Sequence, residues 1–451
     1  MSHFLLPSTP IYGHVGPMLT IGRGLAARGH RVSVLTGRKY RSAVESHGLN
    51  FLPLPAAVDY DDANLDAWLP GRERHKGIAA GRYDILGMFV RPLRAQHEAL
   101  SAALSADRYD GLVCECAFLG VLPTLLTVPA VARMPIVGIS VTPMSLISVD
   151  CAPFGSGLMP RDSPWTRLRN RQINYLLYRG PLRPVQAALD AELVALGASP
   201  GVVHLSDQVT KFDLTFHLAV AGFEYPRREL PPSVVFAGPL LPDPCSAVEL
   251  PSWWADLDSS RPVVHVTQGT MDNANLGKLL IPALRALAGD DVLVVASTGG
   301  RPLGALLAEL GRPLPKNARL AEFLPYDELL PHTDVMVTNG GFGGVQRALS
   351  AGVPLVVAGS TEDKPEVAAR VAWSGTGINL HTGSPSPGRV RRAVRSVLSA
   401  PRYGRAAKRL QREIAAQGDP LARIVATLES LTSAEVDEPE SAGPRHGVRL
   451  W

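Results

Sequence analysis

Strand, loop, helix and strand follow one another within residues 3–36, and no other feature limits so tightly what this chain can fold into. Residues 3–7 form a short apolar strand. A glycine- and proline-bearing loop, 8–16, follows it. Residues 17–28 then carry Leu19, Leu25 and Ala26 at helical spacing. Gly29 stands just past the helix, where a left-handed residue closes it, and 30–36 is the next strand. Two strands joined by a crossover helix lie parallel in one sheet. The rhythm continues at 111–116, 135–141 and 214–219. It starts afresh at 263–267 and recurs at 292–297, 319–323, 335–338 and 355–358, with helical segments at 275–288, 302–309, 343–351 and 366–373 between them. The expected fold is α/β: two Rossmann-like, doubly wound parallel-sheet domains facing across a cleft. Ligands of such sheets bind outside the carboxyl ends of the strands.

The boundaries follow from composition. Residues 1–221 form the first domain, and 222–262, dense in proline, a stiff interdomain connector. The second domain is 263–400. Helices over 401–431 pack back across the domains, because Leu421, Ile424, Val425, Leu428 and Leu431 line one helical face. The polar stretch 432–451 reads as a disordered tail. Apolar residues make up 46% of the chain, enough for two cores, and a net charge of +4 is too mild to indicate nucleic acid. The four cysteines, Cys114, Cys116, Cys151 and Cys245, form neither CxxC pairs nor a zinc-spaced cluster, which suits a reducing cytoplasm. No signal sequence is evident at the start. The uncharged run 117–132 is too short, and too interrupted by Pro123 and Pro129, to span a membrane.

The second half carries the clearest chemistry. Thr338-Asn339-Gly340-Gly341-Phe342-Gly343-Gly344 follows an apolar strand and opens a helix. Glycines let a backbone approach a ligand, and a helix start offers free N–H groups and a positive dipole end to a diphosphate. The pattern is neither GxGxxG nor a Walker loop. Thr267-Gln268-Gly269-Thr270 and Ser297-Thr298-Gly299-Gly300 also end strands of this half. So does Glu362-Asp363-Lys364, whose carboxylates suit sugar hydroxyls, charged acceptors making the stronger hydrogen bonds. In the first half, His14 lies where the first strand ends, facing the predicted cleft. Imidazole can take a proton from an alcohol near neutral pH. Two irregular regions, 59–95 and 142–180, supply apolar residues suited to a pocket, with Met88, Phe89 and Met144 as candidate acceptor contacts.

Together VVHVTQGT (263–270), FLPYDELLP (323–331), TNGGFGG (338–344), GVP (352–354) and EDKPEVAAR (362–370) resemble the donor half of the UDP-glycosyltransferase superfamily, in its bacterial macrolide and natural-product branch. The loop bearing Gly13-His14 and Pro17 resembles the same family's first loop. The resemblance implies the GT-B fold and an inverting, metal-independent glycosyltransferase with no tightly bound cofactor. A UDP- or dTDP-sugar is then the co-substrate and a hydrophobic small molecule the acceptor. It implies a diphosphate held by the glycine loop with Asn339, Gly340, Gly341, Gly343 and Gly344, a base lying against the segment that includes Leu324, and a sugar held by Glu362 and Asp363 beside Lys364; Thr270 and Gly299, at neighbouring strand ends, are further candidate donor contacts. His14 is the implied base. Glu115 stands where the family places the aspartate that orients it.

The chain also departs from the family pattern. Asn339 replaces a common histidine, Lys364 a usual glutamine, and Gly344 a common serine or threonine. Arg347 stands where many members hold the ribose with glutamate, so that role is not carried over. The expected state is a monomer or homodimer with no stable membrane insertion. Two other readings share the architecture: a nucleotide-sugar epimerase and a non-catalytic activator of a partner enzyme.

Overall fold

The computed structural model describes residues 1–241, 250–270 and 273–433. Its first sheet comprises β1 (His3–Pro7), β2 (Arg31–Thr36), β3 (Asn50–Pro53), β4 (Gly111–Glu115), β5 (Ile136–Ser140), β6 (Leu214–His217) and β7 (Val234–Phe236). They lie in the order β3-β2-β1-β4-β5-β6-β7, every neighbouring pair parallel. The second comprises β8 (Val263–Thr267), β9 (Leu293–Ser297), β10 (Ala318–Ala321), β11 (Val335–Thr338), β12 (Leu355–Val357) and β13 (Gly377–Asn379). Its order is β10-β9-β8-β11-β12-β13, again all parallel. Every residue of β1, β4, β5, β8 and β9 is buried, as befits parallel strands covered by helices on both faces.

This topology places the sites. In each sheet the winding direction reverses beside the first strand, between β1 and β4 in one and between β8 and β11 in the other. Loops on either side of such a switch point diverge and leave a crevice at the carboxyl ends of the strands. His14 follows β1, Glu115 ends β4, Gly269 follows β8 and Gly340 follows β11. All four therefore fall at the crevices.

Besides small shifts, such as a helix that begins at Leu280 rather than at 275, three differences from the sequence reading matter most. The first helix spans Tyr12–Ala27, so Pro17 lies inside it and His14 lies in its first turn rather than in a loop. Proline is favoured at a helix start. Here, however, the first turn is fixed by a distant side chain: the Tyr12 N–H donates to Asp62 at 2.7 Å. Secondly, the proline-rich stretch is not all connector. It contains β7, the edge strand of the first sheet, and Trp253, Trp254 and Leu257 pack on the second core. Residues 242–249 of it lie outside the described residues. Thirdly, Thr432 and Ser433 still belong to the last helix, Pro420–Ser433; the rest of the expected tail lies outside the described residues. That helix does return across the chain, burying Ile424, Val425 and Leu428 against the first helix and β1. Among the described residues, no helix is long and apolar enough to cross a membrane.

Candidate active site

His14 is buried to 8% exposure and Glu115 to 1%. The His14 Nδ1 is 3.1 Å from Glu115 Oε1, which also accepts from the Ala117 N–H at 2.7 Å. The imidazole contact is close but not aligned as a hydrogen bond, and among the described residues Glu115 Oε2 has no hydrogen-bond partner. Unliganded catalytic contacts are commonly loose and tighten around substrate. With Nδ1 turned to Glu115, the other ring nitrogen, Nε2, is left for a substrate. Burial works to depress the His14 pKa. The Glu115 charge and contact, joined by the charges of Asp363 and Asp62, outweigh it, and the pKa stands above the usual 6.5. The fold thus holds a basic imidazole whose protonated form is stabilised from both lobes.

That balance gives a sign. A general base works when neutral, so kcat/KM should rise with pH through the elevated His14 pKa. Glu115→Gln removes the largest raising contribution and should move the acid limb of the profile to lower pH while lowering the plateau. A limb that stays in place would mean that Glu115 does not set the basicity of His14.

Asp62 was not among the residues singled out from sequence. It is 4% exposed, holds the first helix turn through Tyr12, and accepts from Lys39 Nζ at 2.6 Å. Only its place in the acidic run 59–62, near the start of the first irregular region, hints at it. Phe89 does lie beside the base, its ring centroid 6.4 Å from that of His14. Met88 packs against Ile11, Tyr60, Leu65 and Leu69 and so forms the wall behind that ring. Met144 is only 3% exposed; its side chain packs with Leu146 and Val234, and its backbone serves the junction between the lobes. The long apolar side chain was a fair pocket candidate, but in this structure it fills a small core.

Across the cleft, Gly340 has φ +89°, and a Cβ there would fall 2.7 Å from Val357 Cγ1. Gly299 has φ +65°, and a Cβ there would fall 2.2 Å from the Gly269 carbonyl, so the loops after β8 and β9 meet only because it is glycine. Gly343, by contrast, faces open space, as does the capping Gly341 apart from Asn339. A Cβ at Gly344 would meet Met336; the open face at Gly343 lies in the first turn of helix Phe342–Ser350, whose N–H groups are the kind that bind phosphate oxygens. Gly340→Val should weaken nucleotide diphosphate binding by about five- to a hundredfold, measured by calorimetry, because relief of the about 1–3 kcal/mol of strain at a left-handed position moves the loop from its binding conformation. Unchanged affinity would remove the loop from the donor site.

Asn339 is largely engaged within the protein. Its Nδ2 donates to the Gln268 carbonyl and its Oδ1 accepts from the Gly341 N–H at 3.3 Å. It clamps the β8 loop to the β11 loop, leaving one amide hydrogen for a ligand. Thr270 is exposed at the end of β8. Leu324 is 9% exposed and packs with Leu257, Val263 and Leu293, so its side chain belongs to the core. The exposed ring at that edge is its neighbour Phe323, at 66% exposure, lying over Gly300. Arg347 pairs with Asp327 at 2.8 Å and stacks on Tyr326. Glu362 adopts a left-handed backbone, φ +57°, and accepts from Lys364 Nζ; Lys364 is itself buried. Burial and the Glu362 charge raise the Asp363 pKa, while Lys364 and His14 work against them.

Between the lobes lies a buried charge cluster that sequence reasoning missed. Arg370, fully buried, donates to Glu224 Oε2 at 2.9 Å, to Glu366 Oε2 at 2.8 Å and to the Met144 carbonyl at 3.2 Å. Glu366 Oε1 accepts from the N–H groups of Gly155 and Gly157. The helix Lys364–Trp373, which follows Glu362 and Asp363, is bolted through these groups to the lobe that bears His14.

The buried imidazole of His14 in one lobe thus faces the glycine loop and the Glu362-Asp363 pair of the other. Residues 303–431 match the family model of the erythromycin biosynthesis protein CIII-like C-terminal domain. The chain is 41% identical to the 4'-demethylrebeccamycin synthase of Lentzea aerocolonigenes, over 95% of this chain and 99% of that one. It is 36% identical to UDP-glycosyltransferase 2 of Phaeomoniella chlamydospora, over 96% of each. The crystal structure of a calicheamicin glycosyltransferase superposes with a TM-score of 0.71 at 23% identity, covering 96% of this chain and 98% of the other. This chain belongs to the UDP-glycosyltransferase superfamily, in its natural-product branch with the GT-B fold, and is a glycosyltransferase. Relatives named as synthases and transferases leave the epimerase and the non-catalytic activator unfavoured.

Proposed function

We propose that the protein transfers a sugar from a UDP- or dTDP-sugar to a hydroxyl of a hydrophobic small molecule, with inversion at the anomeric carbon. The observation that carries this reading is the placement of His14, backed by Glu115 in its own lobe and subject to the Asp363 charge from the other. A base that faces the sugar-binding residues across a cleft suits attack by a third molecule entering between them. Phe89 and the apolar wall behind it favour a lipophilic acceptor.

In the proposed step, His14 Nε2 takes the proton of the acceptor hydroxyl as its oxygen bonds to the anomeric carbon. The bond from that carbon to the diphosphate oxygen breaks on the opposite face, and the electron pair leaves with the diphosphate. The N–H groups at the start of helix Phe342–Ser350 stabilise the charge that develops there; single donors in such a role are worth about 3–4 kcal/mol. One displacement gives one inversion. The nucleotide sugar enters as co-substrate, and the proton leaves His14 to solvent.

The test is a mass-spectrometric turnover assay with UDP-glucose and dTDP-sugars against hydroxylated apolar aglycones, with the anomeric configuration of the product read by NMR. A hexose or deoxyhexose mass gain of inverted configuration is expected. A product of retained configuration would overturn the single displacement, and sugar turnover without acceptor would overturn the transfer reading.

A further inference from the structure

Glu362 has a neighbour from the other lobe. Arg72 lies in the irregular region between β3 and β4, and its Nε and Nη2 donate to the two carboxylate oxygens of Asp84 at 2.8 and 2.9 Å. The same Nη2 is 3.7 Å from Glu362 Oε1. Glu362 Oε2 is already engaged by Lys364. Both side chains are partly enclosed, Arg72 at 23% and Glu362 at 26% exposure. Glu362 is held with a left-handed backbone, φ +57°.

The distance has a chemical meaning. At 3.7 Å the guanidinium and the carboxylate are too far apart for a direct hydrogen bond. They are near enough for one oxygen set beside the gap to bond to both. A sugar hydroxyl is the group that fits, because it donates one hydrogen bond and accepts another. Its hydrogen would go to Glu362 Oε1. Its oxygen would accept the second Nη2 hydrogen, the first being held by Asp84. The bidentate Asp84 pair aims Arg72 beforehand and offsets its charge, so the arm selects a hydroxyl without drawing in an anion.

Accepting that Glu362 holds the sugar, we infer that Arg72 and Glu362 form a clamp closed from both lobes on a single hydroxyl of the donor sugar. Arg72 is then a specificity-determining residue supplied by the acceptor lobe. Recognition of that hydroxyl is complete only when the lobes are together.

The test compares nucleotide sugars deoxygenated in turn at C3, C4 and C6 with the parent hexose. The wild-type protein should penalise one deoxy donor by about ten- to a hundredfold in kcat/KM, the usual worth of a hydrogen bond to a charged group. Arg72→Met and Glu362→Gln should each abolish that penalty, read as the ratio of kcat/KM on the parent to kcat/KM on the deoxy donor within the same variant. Arg72→Lys should fail to restore it, since a lysine cannot hold Asp84 with two bonds while reaching the hydroxyl. Loss of the penalty in Glu362→Gln but its full retention in Arg72→Met overturns the clamp and leaves Glu362 as a sugar ligand. A penalty unchanged in both variants overturns the sugar-site reading as well. A uniform fall on every donor in Arg72→Met would show a merely structural role and would also overturn the clamp.

Discussion

His14→Ala should lower kcat for sugar transfer by about 10²–10⁴-fold, the range a positioned general base contributes. Nucleotide diphosphate affinity, measured by calorimetry on the same preparation, should change by less than about twofold, because the phosphate cradle belongs to the other lobe. The size of the effect follows from the site. Asp62 fixes the helix turn that carries the imidazole, and Glu115 and Asp363 raise its basicity above that of a free histidine. A water molecule admitted by the mutation is a far weaker base and lacks that support. Addition of imidazole should restore part of the rate, more so as pH rises and its neutral form predominates. Transfer at wild-type rate in His14→Ala would sink the assignment. A comparable loss of nucleotide affinity would show instead that the substitution had disturbed the fold.

Residues that occupy strand ends were the ones legible beforehand. In a parallel α/β sheet the strand boundary can be read from the apolar run, and the topology sends each carboxyl end to the crevice. His14, Glu115 and the glycines after β11 could therefore be placed with no knowledge of packing. Side chains that act across large sequence separations gave no such signal. Asp62 caps a helix that begins fifty residues earlier in the chain, and nothing periodic links the two. Met144, Leu324 and Asn339 illustrate the converse. Each stands at a strand end or in a pocket-like region, yet the first two side chains are consumed by local cores and the third mostly by a loop clamp. β7 was hidden for another reason: it lies in a proline-rich stretch and is only an edge strand, where proline nearby costs little.

Arg370→Met should be the most destabilising single substitution outside the apolar cores. It leaves Glu224 and Glu366 buried, at 1% and 3% exposure, without their main counter-charge. Breaking a buried ion pair from one side costs about 3–5 kcal/mol, mostly as desolvated charge left unpaired. The apparent melting temperature should fall by roughly 5 °C or more, whereas His14→Ala should leave it nearly unchanged. The pH dependence has a definite sign. Burial alone would raise the Glu224 pKa, but Arg370 and His217 together hold it well below the usual 4.5. A depressed folded-state pKa contributes stability that is complete above the unfolded value and lost as pH falls beneath it. Wild-type stability should therefore decline below about pH 4.5, and this component of the decline should be missing in Arg370→Met. Function should follow structure here. Glu366 receives the backbone of Gly155 and Gly157 from the lobe that bears His14, and its helix begins directly after Glu362 and Asp363. Loosening Arg370 should thus raise KM for both substrates together, through poorer registry of the lobes, with the pH profile of kcat kept. An Arg370→Met protein as stable as wild type would mean that the remaining contacts, among them the apolar packing of Phe223, Phe342 and Val367, hold the lobes without it.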